Sequence, residues 1–193
     1  MRPLRIPTFQ PRLKVLNSEQ AWAIHTSALE ILEKIGFRME HPDALAILAD
    51  AGCKVSGDNW VTMPAYLAEE ALRSAPRKIA LYDQMGNEAM ALVNGNPFYG
   101  TGSDATFTLD LETGQRRRTV LKDVANFAKL VDGLENMDFV MSMANPEDVP
   151  LEDIYVHAFA EMVRNTNKPI VFIADSGRDI AKIYEIASLV AGG

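Results

Sequence analysis

Three short segments of the sequence place carboxylates and small polar side chains directly after runs of apolar residues. They are residues 100–104 (GTGSD), 142–148 (SMANPED) and 175–177 (DSG). In parallel β/α folds the loops at the carboxyl ends of the strands converge, and reactive residues gather there. Asp104, Asp148 and Asp175 are therefore candidates for binding a cation or moving a proton. Helix capping or simple surface exposure is the alternative for each of them.

Other kinds of chemistry have weaker support in the sequence. Gly100 and Gly102 would let backbone N–H groups approach a phosphate or a carboxylate, but their spacing fits neither the GxGxxG nor the GxxxxGK pattern. The alternative is that these glycines relieve crowding where strands meet. Ser103 and Ser176 lack the G-x-S-x-G context of a nucleophilic serine, and Cys53, the single cysteine, is more typical of a core residue.

Histidine spacing gives no indication of a metal centre. His25, His41 and His157 have no partner at a spacing typical of metal ligands. We therefore expect no metal site, and the motifs alone assign no catalytic residue.

From residue 96 onward, short apolar runs alternate with helical patterns. The runs cover residues 98–100, 139–143 and 170–174, and the helical patterns cover 119–134, 151–164 and 178–190. Such apolar runs are typical of strands buried on both faces of a parallel sheet whose crossovers are helices. Three β/α units are therefore predicted. A hairpin is also predicted inside the first unit, over residues 106–119 with its turn near Gly114.

Arg116, Arg117 and Arg118 form a dense basic run on the second strand of this hairpin. Side chains alternate along a strand, so at most two of the three share a face. We expect a solvated hairpin edge, with contact to a phosphate-bearing partner as the alternative.

Residues 1–95 lack the regular alternation of strand and helix. Helical periodicity covers residues 18–35, 42–51 and 64–75, and β-type runs cover 53–55, 60–63, 79–82 and 90–93. The pattern predicts an α+β extension that precedes the β/α region.

The composition excludes several classes of protein. The chain has 193 residues, of which 48% are hydrophobic and 23% charged, as expected of a globular protein. Its net charge of -7 would repel DNA, RNA and anionic lipid, so neither nucleic acid nor a membrane is an expected partner. One cysteine, no signal-peptide pattern and no apolar run of membrane-spanning length favour a cytoplasmic location.

The length limits any barrel that the β/α units could form. A complete (β/α)8 barrel usually takes about 250 residues, so a barrel in this chain would be incomplete. The sequence stops directly after a predicted helix, where a repeating β/α fold would add its next strand. We therefore expect a truncated chain.

Short motifs in a common order along the whole chain resemble the trimethylamine methyltransferase family, whose members move a methyl group from a methylated amine to a corrinoid protein. The motifs are IH at 24–25, ALEIL at 28–32, IG at 35–36, LADAG at 48–52, AP at 75–76, YGTGSD at 99–104, DLETG at 110–114, RRT at 117–119 with Asp123, NMD at 136–138, DVP at 148–150 and NTNKP at 165–169. Their shared order makes the resemblance specific.

The resemblance implies a (β/α)8 TIM-type barrel that follows an N-terminal extension, in chains well past twice this length. Residues 1–95 would be the α+β extension, and residues 96–193 would be the first three β/α units of the incomplete barrel. Family members with pyrrolysine act on trimethylamine, and relatives without it use quaternary amines such as glycine betaine. The implied methyl acceptor is the Co(I) of a corrinoid (cobalamin) carried by a partner protein, with no cofactor bound directly. A homo-oligomer is implied for the full-length protein.

A pocket for a quaternary ammonium needs aromatic faces and carboxylates, which attract the positive charge. Tyr99, Phe107 and Phe172 are the aromatic candidates, with core packing as the alternative for each, and Asp104 and Asp175 are the candidate counter-charges. The expected substrate-binding residues are Tyr99, Gly102, Ser103, Asp104, Asn145, Phe172 and Asp175.

An incomplete barrel has no closed mouth, so we expect this chain by itself to be inactive. The alternative function is that of a non-catalytic β/α module that binds a small cation or a protein partner. A doubly wound nucleotide-binding domain is a remote option because the phosphate loop is lacking.

Overall fold

The computed structural model describes residues 13–93 and 95–192 of the chain. These residues divide into two compact units, one that ends at Arg77 and one that runs on from Lys78. The sequence analysis placed the start of the β/α region near residue 95, whereas the second compact unit begins earlier.

The earlier start of the second unit follows from the contacts of one hairpin. Strands β4 (Ile79–Tyr82) and β5 (Glu88–Leu92) pair antiparallel. In the loop that joins them, the side-chain amide of Gln84 donates to the carbonyls of Val163 and Thr166. These bonds tie the hairpin to the β/α region.

The first unit contains three helices and a small antiparallel sheet. They are α1 (Ser18–Glu30), α2 (Pro42–Asp50), α3 (Ala65–Ser74) and the strands β1 (Phe37–Arg38), β2 (Lys54–Ser56) and β3 (Trp60–Thr62), in the order β1-β3-β2. The predicted helices and the hairpin of β2 and β3 are confirmed. Strand β1 was not predicted, because two residues are too few to show an alternating pattern.

The end of the first helical segment is closely fitted to the sheet. Helix α1 begins at a capping box between Asn17 and Gln20 and continues into a π-helical turn, Ile31–Ile35. Gly36 follows with φ +80°, and a Cβ there would lie 2.2 Å from the carbonyl oxygen of Val61. Only glycine therefore fits this junction without a backbone shift.

The second unit carries the remaining helices and a further hairpin. They are the antiparallel strands β6 (Phe107–Leu109) and β7 (Arg116–Arg118), and the helices α4 (Leu121–Gly133), α5 (Ile154–Asn165) and α6 (Gly177–Ala191). A 3-10 turn at Leu151–Asp153 leads into α5. Each of these elements was predicted to within a few residues.

Three extended segments run parallel between these helices. Isolated parallel bridges join Gly100 to Phe139, Ala105 to Ala144 and Val140 to Ile170. These bridges have the predicted parallel direction and neighbour order. The predicted strands at 98–100, 139–143 and 170–174 do not form continuous ladders, and isolated bridges stand in their place. Asp104 (φ +65°) and Met143 (φ +57°) adopt left-handed backbone conformations, which interrupt an extended ladder.

The core of the second unit lies between the parallel segments and the helices. Its buried residues come from the second segment and from α4, α5 and α6: Val124, Ala128, Val131, Val140, Ala144, Ala158, Phe159, Met162 and Ile183. In the described part of the chain, no helix is both long and apolar enough to cross a membrane.

Candidate functional site

A cavity of about 10 Å³, partly open to solvent, lies between the three parallel segments and helix α5. Ser103, Ser142 and Phe172 line it from the three segments, and Tyr155 and Met162 line it from α5. Ordinary small-molecule pockets measure about 300–1,000 Å³. The described residues thus form a small, partly open cavity rather than a complete pocket.

Two of the predicted carboxylates act on the same side chain of this cavity. Burial raises the pKa of the Tyr155 phenol, and the negative charges of Asp175 and Asp104 raise it further. The side chains of Asp104 and Asp175 are therefore close enough to Tyr155 to interact with it electrostatically, although they follow different parallel segments. A neutral phenol beside two carboxylates makes an environment that favours a cation.

Tyr155 was missed in the sequence analysis. It lies in the first turn of α5, in a segment that was predicted only to be helical. The available signal was its position a few residues after the second polar segment, where a helix start lies near the carboxyl ends of the strands.

The loop after the first parallel segment has a strained backbone. Asp104 has φ +65°, and the hydroxyl of Ser103 donates to Asp104 Oδ2 at 2.6 Å. Strained residues of this kind persist only where the surrounding structure holds them. Here the backbone N–H of Ala105 donates to the carbonyl of Met143 at 3.0 Å, so the two strained exits support each other.

Gly102 and Asn145 join the first two exits through their backbones. The carbonyl of Gly102 accepts from the N–H of Met143 at 2.9 Å, and the N–H of Asn145 donates to the carbonyl of Ala105 at 3.0 Å. A Cβ on Gly102 would meet nothing within 4 Å, whereas a Cβ on Gly100 would lie 2.4 Å from the Phe139 ring. Relief of crowding therefore applies to Gly100 and not to Gly102.

Tyr99 and Phe172 lie in different surroundings. The backbone N–H of Tyr99 donates to Asp138 Oδ2 at 2.9 Å, and the residue is largely exposed. The ring of Phe172 lines the cavity and packs edge-to-face on Phe159, with 5.2 Å between ring centroids. Contact of either ring with a cation stays a prediction.

Asp148 has the helix-capping role that the sequence analysis left as its alternative. Its Oδ1 accepts from the backbone N–H of Leu121 at 2.7 Å, at the start of α4. Asp104 and Asp175 are thus the carboxylates of the three polar segments that act on Tyr155. Among the described residues, no group of three or more His, Cys, Asp or Glu side chains is placed to hold a metal ion.

Comparison with known proteins identifies the family. The sequence model described as trimethylamine methyltransferase (MTTB) matches residues 4–193 of the chain. The chain belongs to the trimethylamine methyltransferase family.

Curated relatives from this family cover most of the chain. A trimethylamine methyltransferase MttB of Desulfitobacterium hafniense (strain DSM 10664 / DCB-2) is 31% identical over 92% of this chain and 36% of its own length. A glycine betaine methyltransferase of Desulfitobacterium hafniense (strain Y51) is 30% identical over 95% of this chain and 38% of its own length. The trimethylamine methyltransferase MttB of Methanosarcina thermophila is 28% identical over 94% of this chain and 38% of its own length. The chain thus spans somewhat more than a third of these trimethylamine methyltransferase family proteins.

Two of the motifs that resemble the trimethylamine methyltransferase family form an ionic clamp in the structure. Arg117 donates to the two carboxylate oxygens of Asp123 through Nη1 and Nη2, at 2.7 and 2.9 Å, and its Nε donates to Asp110 Oδ2 at 3.1 Å. Hydrogen bonds from Thr113 and Arg117 lower the pKa of Asp110 to about 2, and the bonds from Arg117 also lower the pKa of the buried Asp123. This clamp fixes the hairpin of β6 and β7 to the start of α4.

Thr119, from the same family motif as Arg117, joins the first two strand exits. Its side chain is fully buried, and its hydroxyl lies 2.8 Å from the carbonyl oxygen of Asn145 and 3.0 Å from that of Ala105. A hydroxyl has one hydrogen, so the two carbonyls share it. Thr119 therefore sets the spacing of the loops that carry Asp104 and Asn145.

The family motif at residues 165–169 closes the other end of α4. Asp132 Oδ1 accepts from the hydroxyl of Thr166 at 2.9 Å and from the N–H of Asn167 at 2.8 Å. Lys168 Nζ donates to the carbonyls of Val131 and Leu134. Residues of these family motifs thus hold helix α4 at both of its ends.

Proposed function

We propose that the protein to which this chain belongs transfers a methyl group from a trimethylamine or glycine betaine type of substrate to the Co(I) of a corrinoid on a separate protein. The observation that carries this proposal is membership of the trimethylamine methyltransferase family over residues 4–193. The names of the relatives support both substrate types.

The described side chains suit recognition of a methylated ammonium ion. Asp104 and Asp175 supply negative charge, and Tyr155 supplies an aromatic ring that burial and these two carboxylates keep neutral. A Co(I) corrinoid would take the methyl group from a cationic, quaternary ammonium nitrogen, and the C–N electron pair would stay on that nitrogen. A neutral amine would then leave, and no general acid would be needed from the protein. The task of the protein residues is to attract and orient the cation.

We further propose that the three parallel segments are the first strands of a (β/α)8 barrel. The parallel bridges between successive segments, with α4 and α5 as crossovers, support this architecture. The small cavity of about 10 Å³ would then be one part of a larger pocket, to which the rest of the barrel contributes. Residues 1–193 alone are accordingly expected to show no methyl transfer. The full-length protein is proposed to form a homo-oligomer.

The proposal is tested with the full-length protein, a corrinoid protein reduced to Co(I), and trimethylamine or glycine betaine as donors. Methylation of cobalt is followed by absorbance. Asp104→Asn and Asp175→Asn each remove one negative charge, and an exposed ion pair contributes roughly 0.2–1 kcal/mol. The KM for the amine should therefore rise about 1.4- to fivefold in each variant, with a small change in kcat.

Asp148→Asn is the matched control for these variants. It removes the charge of the third strand-exit carboxylate, and an amide oxygen can still cap α4. Its KM for the amine should match that of the wild type. If Asp104→Asn and Asp175→Asn have the same KM for the amine as Asp148→Asn, the proposed role of Asp104 and Asp175 in binding the amine is excluded. Amine binding without methyl transfer would favour the non-catalytic module instead.

A further inference from the structure

We propose that the outer face of the hairpin β6–β7 is a docking surface for a protein that presents a carboxylate beside apolar side chains. We define the outer face as Phe107, Leu109, Arg116 and Arg118 together with Leu111 in the turn. The register pairs Phe107 with Arg118 and Leu109 with Arg116, which puts these four side chains on one side of the hairpin. The identification of the partner as the corrinoid-carrying protein rests on the proposed function.

The outer face exposes apolar side chains that nothing in the described part of the chain covers. Leu111 is 96% exposed and Leu109 is 64% exposed. Two exposed leucines on one short hairpin are unfavourable in water unless another surface covers them. Contacts of this kind commonly supply the apolar centre of a protein interface.

The arginines of the outer face are already oriented. The guanidinium of Arg116 lies 3.5 Å from the centroid of the Phe107 ring, and that of Arg118 lies 4.4 Å from it. Stacking leaves the N–H edges of a guanidinium free to bind both oxygens of a carboxylate. Arg118 pairs with Glu147, whereas no carboxylate among the described residues forms an ion pair with Arg116. Arg116 is therefore the arginine available to a partner.

The hairpin is held firmly from its opposite side. Arg117 projects away from the outer face and forms the clamp with Asp110 and Asp123. A face that is already ordered loses little conformational entropy when a partner binds. This arrangement distinguishes the outer face from a loosely attached surface loop.

The position of the hairpin places a bound partner beside the candidate site. Strand β6 begins two residues after Ala105, and β7 ends directly before Thr119, which bonds the first two strand exits. The net charge of -7 disfavours a polyanion such as nucleic acid or anionic lipid. A protein with a local carboxylate and apolar neighbours satisfies both the arginine and the leucines.

The test measures docking separately from chemistry, in the full-length protein. Arg116→Glu and Leu111→Ser are compared with Arg77→Glu, which reverses an exposed arginine that forms no ion pair among the described residues. The KM for the reduced corrinoid protein is measured at saturating amine, and its Kd is measured by calorimetry. Arg116→Glu should raise both by about tenfold or more, since like charges in an interface are strongly unfavourable. The KM for the amine should stay the same.

Salt provides a second measurement. Raising the salt from about 50 to about 300 mM should weaken binding of the corrinoid protein to the wild type more than to Arg116→Glu. Unchanged KM and Kd in Arg116→Glu and Leu111→Ser, with methyl transfer intact, would overturn the docking proposal and leave the proposed function standing. If no amine supports transfer but binding is lost in Arg116→Glu, the docking surface stands and the proposed reaction fails. If the wild type neither binds the corrinoid protein nor transfers methyl groups, both proposals fail.

Discussion

Replacing Thr119 by valine should destabilise the second compact unit although it barely changes the shape of the side chain. The Thr119 hydroxyl is the only part removed, and it lies within hydrogen-bonding distance of the carbonyls of Asn145 and Ala105. Ala105 keeps a second donor, the N–H of Asn145 at 3.0 Å. The carbonyl of the half-buried Asn145 loses its side-chain donor, which came from the fully buried Thr119.

The size of the effect follows from these contacts. A buried carbonyl left without a partner costs about 1–3 kcal/mol, and the added methyl group recovers up to about 0.8 kcal/mol. The free energy of unfolding should therefore fall by about 0.2–3 kcal/mol, with about 1–2 kcal/mol in the middle of that range. For a chain of this size, a loss of about 1–2 kcal/mol corresponds to a decrease in Tm of roughly 2–8 °C.

The assay should resolve the two units. Both tryptophans, Trp22 and Trp60, lie in the unit that ends at Arg77, so tryptophan fluorescence reports on that unit. Urea unfolding is followed by circular dichroism, and hydrogen exchange is measured on peptides that contain Ala105 and Asn145. Faster exchange in these peptides should accompany the lower circular dichroism midpoint.

Thr108→Val is the matched control for this substitution. The Thr108 hydroxyl makes only a long contact, 3.5 Å to the carbonyl of Leu109, on an exposed hairpin. Its removal should change the free energy of unfolding by less than about 0.5 kcal/mol. If Thr119→Val is as stable as Thr108→Val and exchanges no faster, the linking role of Thr119 is refuted.

Three further predictions concern single groups in the second unit. The pKa of Asp110 in the folded protein is lowered to about 2, so this carboxylate stabilises the fold fully above its ordinary pKa of about 3.9 and ceases to do so as the pH falls through 2. The urea midpoint should drop over this pH range, and it should drop less steeply in Asp110→Asn. The pKa of Tyr155, measured by ultraviolet titration of the phenol, is raised and should fall towards its ordinary value in Asp175→Asn. An unchanged pKa in this variant would show that the charge of Asp175 does not act on Tyr155. Gly100→Ala should lower the thermal unfolding midpoint, because the added methyl group would overlap the Phe139 ring, whereas Gly102→Ala should leave the midpoint unchanged. Equal midpoints in the two variants would contradict the packing described for these glycines.

The β/α alternation was predictable because burial leaves a plain record in the sequence. The apolar runs indicated the three parallel segments, and α4, α5 and α6 each show helical spacing of apolar residues. Burial on both faces was not predicted correctly, because Val140 is buried whereas Tyr99 and Phe172 are exposed. The lengths of the parallel ladders were not predictable in the same way. They depend on Asp104 and Met143, whose left-handed backbones are imposed by hydrogen bonds between distant residues.

The roles of the strand-exit carboxylates could be predicted only as a set. Asp104, Asp148 and Asp175 share the same kind of local sequence, yet Asp148 caps α4, which precedes it in the chain by 27 positions. A cap of that kind has no local sequence signal. Tyr155 escaped prediction for a related reason, because a helical residue that faces a cavity has the same spacing as one that faces the core.

The clamp around Arg117 bears on how substrate preference can change within the family. Residues 110–123 contain motifs by which the chain resembles its family, and their contacts hold a hairpin and a helix together. Relatives named for trimethylamine and for glycine betaine match this chain almost equally well, at 31% and 30% identity. The clamp lies outside the residues that line the cavity. Variants designed to change the proposed amine preference should therefore keep residues 110–123 and change the cavity wall around Tyr155.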